Sequence, residues 1–416
     1  MRKKTFFCLA TLLLTAMMAG ASAQAAFVIG GGENGWQLST DGNVNLMVTY
    51  TSGDARPVNV NNGITLADGD DSFRIRSGFL PGILAFNIKA PTIDGFEIGA
   101  RVGFYPNPQN ANTKNSFNAQ IDLREVFFTV DGNFGQFLVG KTLSLYQGQN
   151  ALTGMTLYGS GVTIAASGGA TLGNIGYGYI YPQFNAQIRY TTPDLNGLKL
   201  AVGAYDPSVI ATRGGIGDGA ERTAEITKRP QWQAEASYAA TFAEKGKVKA
   251  WASGLYQKAE FKSPPSPLFL SGEEVEASGV AGGILLGFAG AEVVLSGFDG
   301  QGLGSTLMLD TDSLDPVGKE RDSQGYLAQL TYTLGATKFG VAYGINEMDE
   351  TSAEKAIRIG GGNSELEEQN LLTLGIYHDL NPYIKLVAEY SQAENKWFGG
   401  QDQQVDIVSV GTLFFW

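Results

Sequence analysis

Polar and apolar residues alternate along most of this chain with a period of two, the spacing of a β-strand whose two faces meet different surroundings. Phe96-Glu97-Ile98-Gly99-Ala100-Arg101-Val102-Gly103-Phe104 shows the pattern, as do Gln183 to Tyr190 and Gln231 to Tyr238. Turn-forming residues separate such runs. Short connections fall at Ile93-Asp94-Gly95, Asp131-Gly132-Asn133, Asp194 to Gly197, Ala243 to Gly246, Ala289-Gly290, Leu334-Gly335-Ala336 and Asp379 to Pro382. Longer polar stretches lie between them, near 52–70, 106–117, 142–182, 207–228, 260–273, 299–322, 347–366 and 395–402. Seven short turns in rotation with eight long loops predict sixteen antiparallel strands, with both ends of the chain at the short-turn rim.

Alternation is symmetric to inversion, so a soluble sandwich or propeller with its apolar face inside reads the same way. Three features favour a transmembrane antiparallel β-barrel. The rotation of short and long connections is strict. Aromatics recur near strand ends, at Tyr50, Phe104, Tyr105, Tyr190, Tyr205, Tyr238, Tyr332, Tyr343, Tyr377 and Tyr390, as interfacial girdles require. The chain also finishes on an alternating strand, with Val408, Val410, Phe414 and Trp416 in step. At the other end, Arg2, Lys3 and Lys4 precede a short apolar stretch, Phe6 to Met18, and small residues suited to cleavage. We read residues 1–23 as a secretory leader, with Ala25 as the alternative cleavage point, and 24–416 as a single barrel domain. The leader holds the one cysteine, Cys8, so thiol and disulfide chemistry are excluded from the mature chain.

Composition narrows the reading further. No apolar run after the leader is long enough for a spanning helix; the longest, Val280 to Ala291, reads as two strand ends around a tight turn. The net charge of −12 becomes −15 without the three leader cations, which makes nucleic acid a poor partner. Candidate chemistry is sparse. The single histidine, His378, sits at a strand end and suits a girdle or rim better than a catalytic triad. Asp310-Thr311-Asp312-Ser313-Leu314-Asp315 is a poor match to a calcium loop and reads better as a solvated loop. Gly30 to Gly32 and Gly360 to Gly362 lack the context of a phosphate cradle. No catalytic, metal or cofactor site is expected.

The mature chain resembles the Gram-negative general porins, trimeric sixteen-stranded barrels of the outer membrane. Two segments carry the resemblance. One is the strand-turn-strand from Leu123 to Lys141, similar to the hairpin before the constriction loop of that family. The other is the aromatic terminus, Phe414 and Trp416, similar to the signal read by the outer-membrane assembly machinery. The resemblance implies a passive, water-filled channel for small hydrophilic solutes and ions, a homotrimer, and outer-membrane lipid and lipopolysaccharide as surroundings. It also implies that the third long loop folds into the barrel.

A basic side chain on the lipid face near the midplane costs about 2–4 kcal/mol, so strand charges should point into the lumen. Parity then assigns Arg74, Arg76, Glu97, Arg101, Asp122, Arg124 and Arg189 to the lumen. Glu125 breaks parity with Arg124, which predicts a β-bulge there. The third loop, Thr142 to Pro182, contains no charged residue, whereas the family's constriction loop often carries acids. Fewer acids beside the arginines suggest a pore preferring anions; generic lumen lining, balanced by nearby carboxylates, is the plainer alternative. A porin specific for an anionic nutrient and a non-conducting adhesin or barrel enzyme are the remaining readings.

Overall fold

A computed structural model describes residues 27–32, 34–64, 71–108, 121–163, 169–212, 222–262 and 274–416. The expected leader lies outside these residues. Strands dominate. They run β1 (Phe27–Gly31), β2 (Gln37–Gly53), β3 (Ser72–Arg76), β4 (Ile83–Lys89), β5 (Glu97–Pro106), β6 (Ile121–Gly132), β7 (Gly135–Leu143), β8 (Phe184–Thr191), β9 (Leu198–Tyr205), β10 (Ile210–Thr212) and β11 (Arg222–Ile226). After them come β12 (Gln231–Phe242), β13 (Gly246–Phe261), β14 (Glu274–Phe288), β15 (Ala291–Gln301), β16 (Asp322–Leu334), β17 (Thr337–Met348), β18 (Leu366–Asn381), β19 (Ile384–Trp397) and β20 (Asp402–Phe415).

Every pairing between the named strands is antiparallel, and the sheet closes on itself. Asn43–Gly53 of β2 pairs with Phe415–Val405 of β20, so the first and last long strands meet as expected. Sixteen staves make the barrel, because β3 and β4, β9 and β10, and β11 and β12 each form one stave. Each interruption contains a proline: Pro81, Pro207 or Pro230. Proline has no N–H to donate, so the ladder lapses there. The segment β1 stands outside this count. It pairs with Gln37–Thr40 on the β2 edge that β20 covers further along. All seven short turns fall where the alternation predicts them, as do the long connections, except that β10 and β11 carry their staves into the expected 207–228 loop.

Parity sets the two faces. On β20, Val408, Val410 and Phe414 are about half exposed, while Val405, Ile407, Ser409 and Leu413 are buried. The outward set forms the lipid-facing band. Its upper girdle runs across the ladder as Tyr390, Val408, Tyr50 and Phe73, which are successive register partners. Its lower girdle includes Phe134, Phe137, Tyr190, Phe414 and Trp416, in ring contact as Phe134–Phe137, Phe137–Tyr190 and stacked Phe414–Trp416. No helix among the described residues is long and apolar enough to span a membrane; the strands do the crossing.

Three expected girdle residues belong elsewhere. Tyr105, Tyr205 and Tyr377 are 4%, 1% and 3% exposed. They share the inward parity of Arg101, Gly203 and Glu389's partner wall, since one residue's step moves a side chain across the sheet. The interior also differs from a purely polar lining. Apolar clusters such as Tyr146, Ile180, Ile210, Leu303, Met308 and Leu309 with the wall residues Leu255, Phe261 and Phe298 are buried inside the barrel. They pack the third and sixth loops against β13–β15, which converts that part of the lumen into a core.

Candidate functional site

The third loop spans the interior. Its described parts hold one short helix, Gly148–Leu152, and a 3-10 turn, Met155–Tyr158. From the end of β7 it follows the far wall. Gln233 of β12 accepts from the Tyr146 amide at 2.8 Å, Trp251 of β13 donates to Asn150 at 2.7 Å, and Gln329 of β16 accepts from the Met155 amide at 2.6 Å. At the loop's tip the Glu389 carboxylate of β19 accepts from the amides of Ser160 at 2.6 Å and Gly161 at 2.9 Å, and from the Tyr377 hydroxyl. A Cβ on Gly159 would overlap that carboxylate, so glycine is required for the approach. The break between β3 and β4 meets the same tip. There Phe79 donates to the Gly159 carbonyl at 2.9 Å and Thr171 donates to that of Ser77 at 3.1 Å. Backbone groups freed by Pro81 thus find partners in the loop. The return limb uses Gly178 on Asn346 at 2.7 Å and the Tyr177 hydroxyl on Asn395 at 2.9 Å.

Opposite this limb lie the residues singled out by parity. Arg101 is nearly enclosed. Its Nε donates to Glu125 at 2.7 Å, its Nη atoms to Asp41 at 2.7 and 3.0 Å, and Nη1 also to Asn87 at 3.0 Å. Glu125 accepts further from Tyr105 at 2.7 Å. The expected bulge is present: Gly103 pairs with Glu125 but Phe104 with Leu123, so Arg124 is the extra residue and both charges turn inward. Arg124 donates to Asp122 and to the Tyr181 hydroxyl, each at 2.7 Å, with the Tyr105 and Phe184 rings 5.5 and 5.6 Å from its guanidinium. Arg76 is buried and donates to Thr163 of the third loop at 2.6 Å. Glu97 pairs with Lys89 at 3.1 Å, away from that group. Arg74 and Arg189 are half-buried on the lumen side of β3 and β8. Arg101, Asp122, Arg124 and Glu125 therefore form one neighbourhood, and Arg76 serves the loop instead.

Sequence reasoning passed over the lysines of the opposite wall. Lys199, Lys247, Lys249, Lys338 and Lys385 all share inward parity. The same parity count that found the arginines would have found them. The acids of the later staves sit on the outer face. Seven successive staves, β14 to β20, carry Glu276, Asp299, Asp322, Glu347, Glu368, Glu394 and Asp406 on the outward parity of Val280, Leu295, Tyr326, Tyr343, Leu374, Tyr390 and Val408. This belt lies above the upper aromatics, outside the lumen. Asp312 and Asp315 are buried rather than solvated. Asp312 accepts from Asn62 at 3.0 Å, and Asp315 from Val317, Lys319 and Thr351 at 2.8–2.9 Å. They are turn and loop ties, and no group of three metal-ligating side chains occurs among the described residues. His378 lies on the outward face near the short-turn rim, its Nδ1 2.9 Å from Thr337.

A closed sixteen-stave barrel with a loop pinned across its interior is the architecture of a diffusion channel, and the family comparison agrees with it. The family model for Gram-negative porins matches residues 10–397. This chain is a Gram-negative porin. As a porin it is an outer-membrane channel for small solutes, a multi-pass β-barrel. The family and fold describe a channel rather than an enzyme. No curated relative matches the porin's sequence. Solved structures share its fold at low identity. The outer-membrane channel DcaP of Acinetobacter baumannii aligns with TM-score 0.66 at 17% identity, over 94% of this chain and 100% of that one. An anion-selective porin from Comamonas acidovorans gives 0.61 at 14%, over 92% and 100%. Salmonella typhi OmpF gives 0.54 at 10%, over 93% and 100%.

Proposed function

We propose that this porin is a passive, water-filled pore whose narrow section lies between the third loop and the wall of β3–β8. The pinning of an uncharged loop across the lumen carries the reading, because it narrows the passage and leaves the arginine-bearing wall as the charged side of that narrow section. In this reading Arg74, Arg124, Arg189 and Glu97 reach the water. Arg76, Arg101, Asp122 and Glu125 hold the wall and loop in place, with their charges largely answered by partners. Rings of free arginine favour anions, but here Arg101 faces two carboxylates and Arg124 one, so these arginines contribute little net field.

The functional domain is residues 24–416, preceded by a leader that is removed. A homotrimer is the assembly; one Vibrio cholerae OmpT relative of the same fold, TM-score 0.51 at 14% identity, is described in a trimer form. The outward carboxylate belt above the aromatics faces the headgroup layer of the outer leaflet, where divalent cations would bridge it to lipopolysaccharide phosphates. Phe414 and Trp416 present the terminal strand to the assembly machinery.

Single-channel recording in planar bilayers, together with liposome swelling in sugars of rising size, tests the pore. Ohmic conductance with a size cut-off is expected. A barrel that inserts yet neither conducts nor admits sugars would refute it and leave the adhesin reading.

A further inference from the structure

Resting on the porin reading, we infer that a lysine cluster on the opposite wall, centred on Lys338, is a weak binding site for small oxyanions and sets the pore's ionic preference. The cluster lies in the half of the lumen nearer the short turns, beneath the third loop. Its geometry is uneven. Lys247 of β13 pairs with Glu292 of β15 at 3.0 Å. Lys385 of β19 pairs with Asp379 and lies 5.7 Å from the Tyr158 ring of the loop. Lys249 donates to Gln149 of the loop at 2.6 Å, 6.0 Å from the Trp251 ring.

Lys338 of β17 has no such partner among the described residues, although it is half-buried on the lumen face. The charges that act on it are Glu292, Lys385, Lys247 and Asp379. Both acids are already engaged by the other two lysines. Glu389, the next carboxylate on that wall, is turned into the third loop by two amides and Tyr377. Three ammonium groups therefore share two carboxylates, and the surplus cation sits on Lys338.

A desolvated cation without a counter-charge is costly, and a passing anion relieves the cost. Carboxylates and phosphate suit the site best, since their oxygens accept from an ammonium at short range. Lysine rather than a bidentate arginine fork keeps the site shallow, which conduction requires: an ion must leave as readily as it enters. The chain's net negative charge does not oppose this, because its acidic belt faces outward and is screened over about 8 Å at physiological salt.

The experiment is the reversal potential of the full-length porin in planar bilayers under a KCl gradient, with acetate and inorganic phosphate titrated as blockers of chloride current. Wild type should prefer anions. Lys338→Gln should lower the anion-to-cation permeability ratio roughly fivefold, the effect of one charge about 4 Å from an ion in water, and Lys338→Glu should move it further toward cations. Both should raise the concentrations at which acetate and phosphate half-block. Lys338→Arg should keep the wild-type preference, and Lys258→Gln, on the outward face, should change nothing. The heat-dependent gel shift of each variant verifies a folded barrel. Unchanged selectivity and block in a conducting, folded Lys338→Glu pore would overturn the inference while sparing the porin reading. A wild-type barrel without conductance would instead overturn both.

Discussion

At the scale of single residues, Arg101 shows what burial does to a charge. Its guanidinium meets Asp41, Asn87 and Glu125, which are 60, 14 and 24 positions away in the chain. The side chain is 9% exposed and Glu125 is 8% exposed, so removing one partner strands the other in a poorly solvated wall. Arg101→Ala should lower barrel stability by about 3–5 kcal/mol, the usual cost of an orphaned buried charge. The readout is the temperature at which the folded band converts in a heated gel. Arg74→Ala, at a half-buried position, should shift it little. Parity fixed the side on which Arg101 lies, but not its partners. Those depend on cross-strand register, and a single bulge at Arg124 alters which residues face each other. The same limit explains Tyr105 and Tyr377. As aromatics near strand ends they resemble girdle residues, yet each donates its hydroxyl to a lumen carboxylate.

At the scale of elements, the third loop is held by its contacts more than by its own regular structure. Gly159 is the narrowest point of the tether, because any side chain there displaces the Glu389 carboxylate from the Ser160 and Gly161 amides. Gly159→Ala should loosen the tip and give larger, noisier single-channel currents with an unchanged folded band. The outer loops are tied in a similar way. The helix Ser352–Ile359 starts with a capping box, in which Thr351 accepts from the Glu354 amide and Glu354 accepts from the Thr351 amide at 2.9 Å. Glu354 also lies 2.9 Å from Arg321 of the sixth loop, and both side chains are almost fully buried. Burial outweighs that pairing and pushes the Glu354 carboxyl up to about 7. A carboxyl raised above its ordinary 4.5 contributes stability that is fully present below that value and is lost as pH rises through about 7. Protection factors for amide exchange over residues 352–359, each taken against the intrinsic exchange rate at the same pH, should therefore be larger at pH 5 than at pH 8. Glu354→Gln, which keeps the site neutral, should abolish the difference. Loop order was legible in the sequence; loop docking was not, since the apolar residues that dock the third loop carry no period of their own.

At the scale of the whole molecule, closure is the decisive event. Trp416 exchanges backbone hydrogen bonds with Gly42 at 3.1 and 3.2 Å, and a side chain at Gly42 would strike the indole. The terminus thus both ends the final strand and completes the seam with the first. Deleting Trp416 should reduce the yield of heat-modifiable barrel in the outer membrane, while pores that do assemble keep wild-type reversal potentials. Closure also sorts the charge. A net −12 suggests an acidic pore, but the belt from Glu276 to Asp406 faces away from the lumen and the lysines of β13, β17 and β19 face into it.

Strand number, connection order, the closing pair and the inward parity of Arg74, Arg76, Arg101 and Arg189 were determined by the sequence alone. They follow from a period of two and from turn residues, both local and both repeated along the chain. Only the tertiary structure decided which charges neutralise one another, where the third loop is pinned and which lysine remains without a partner. These depend on register, on one bulge and on contacts across an interior wide enough that residues far apart in sequence become neighbours.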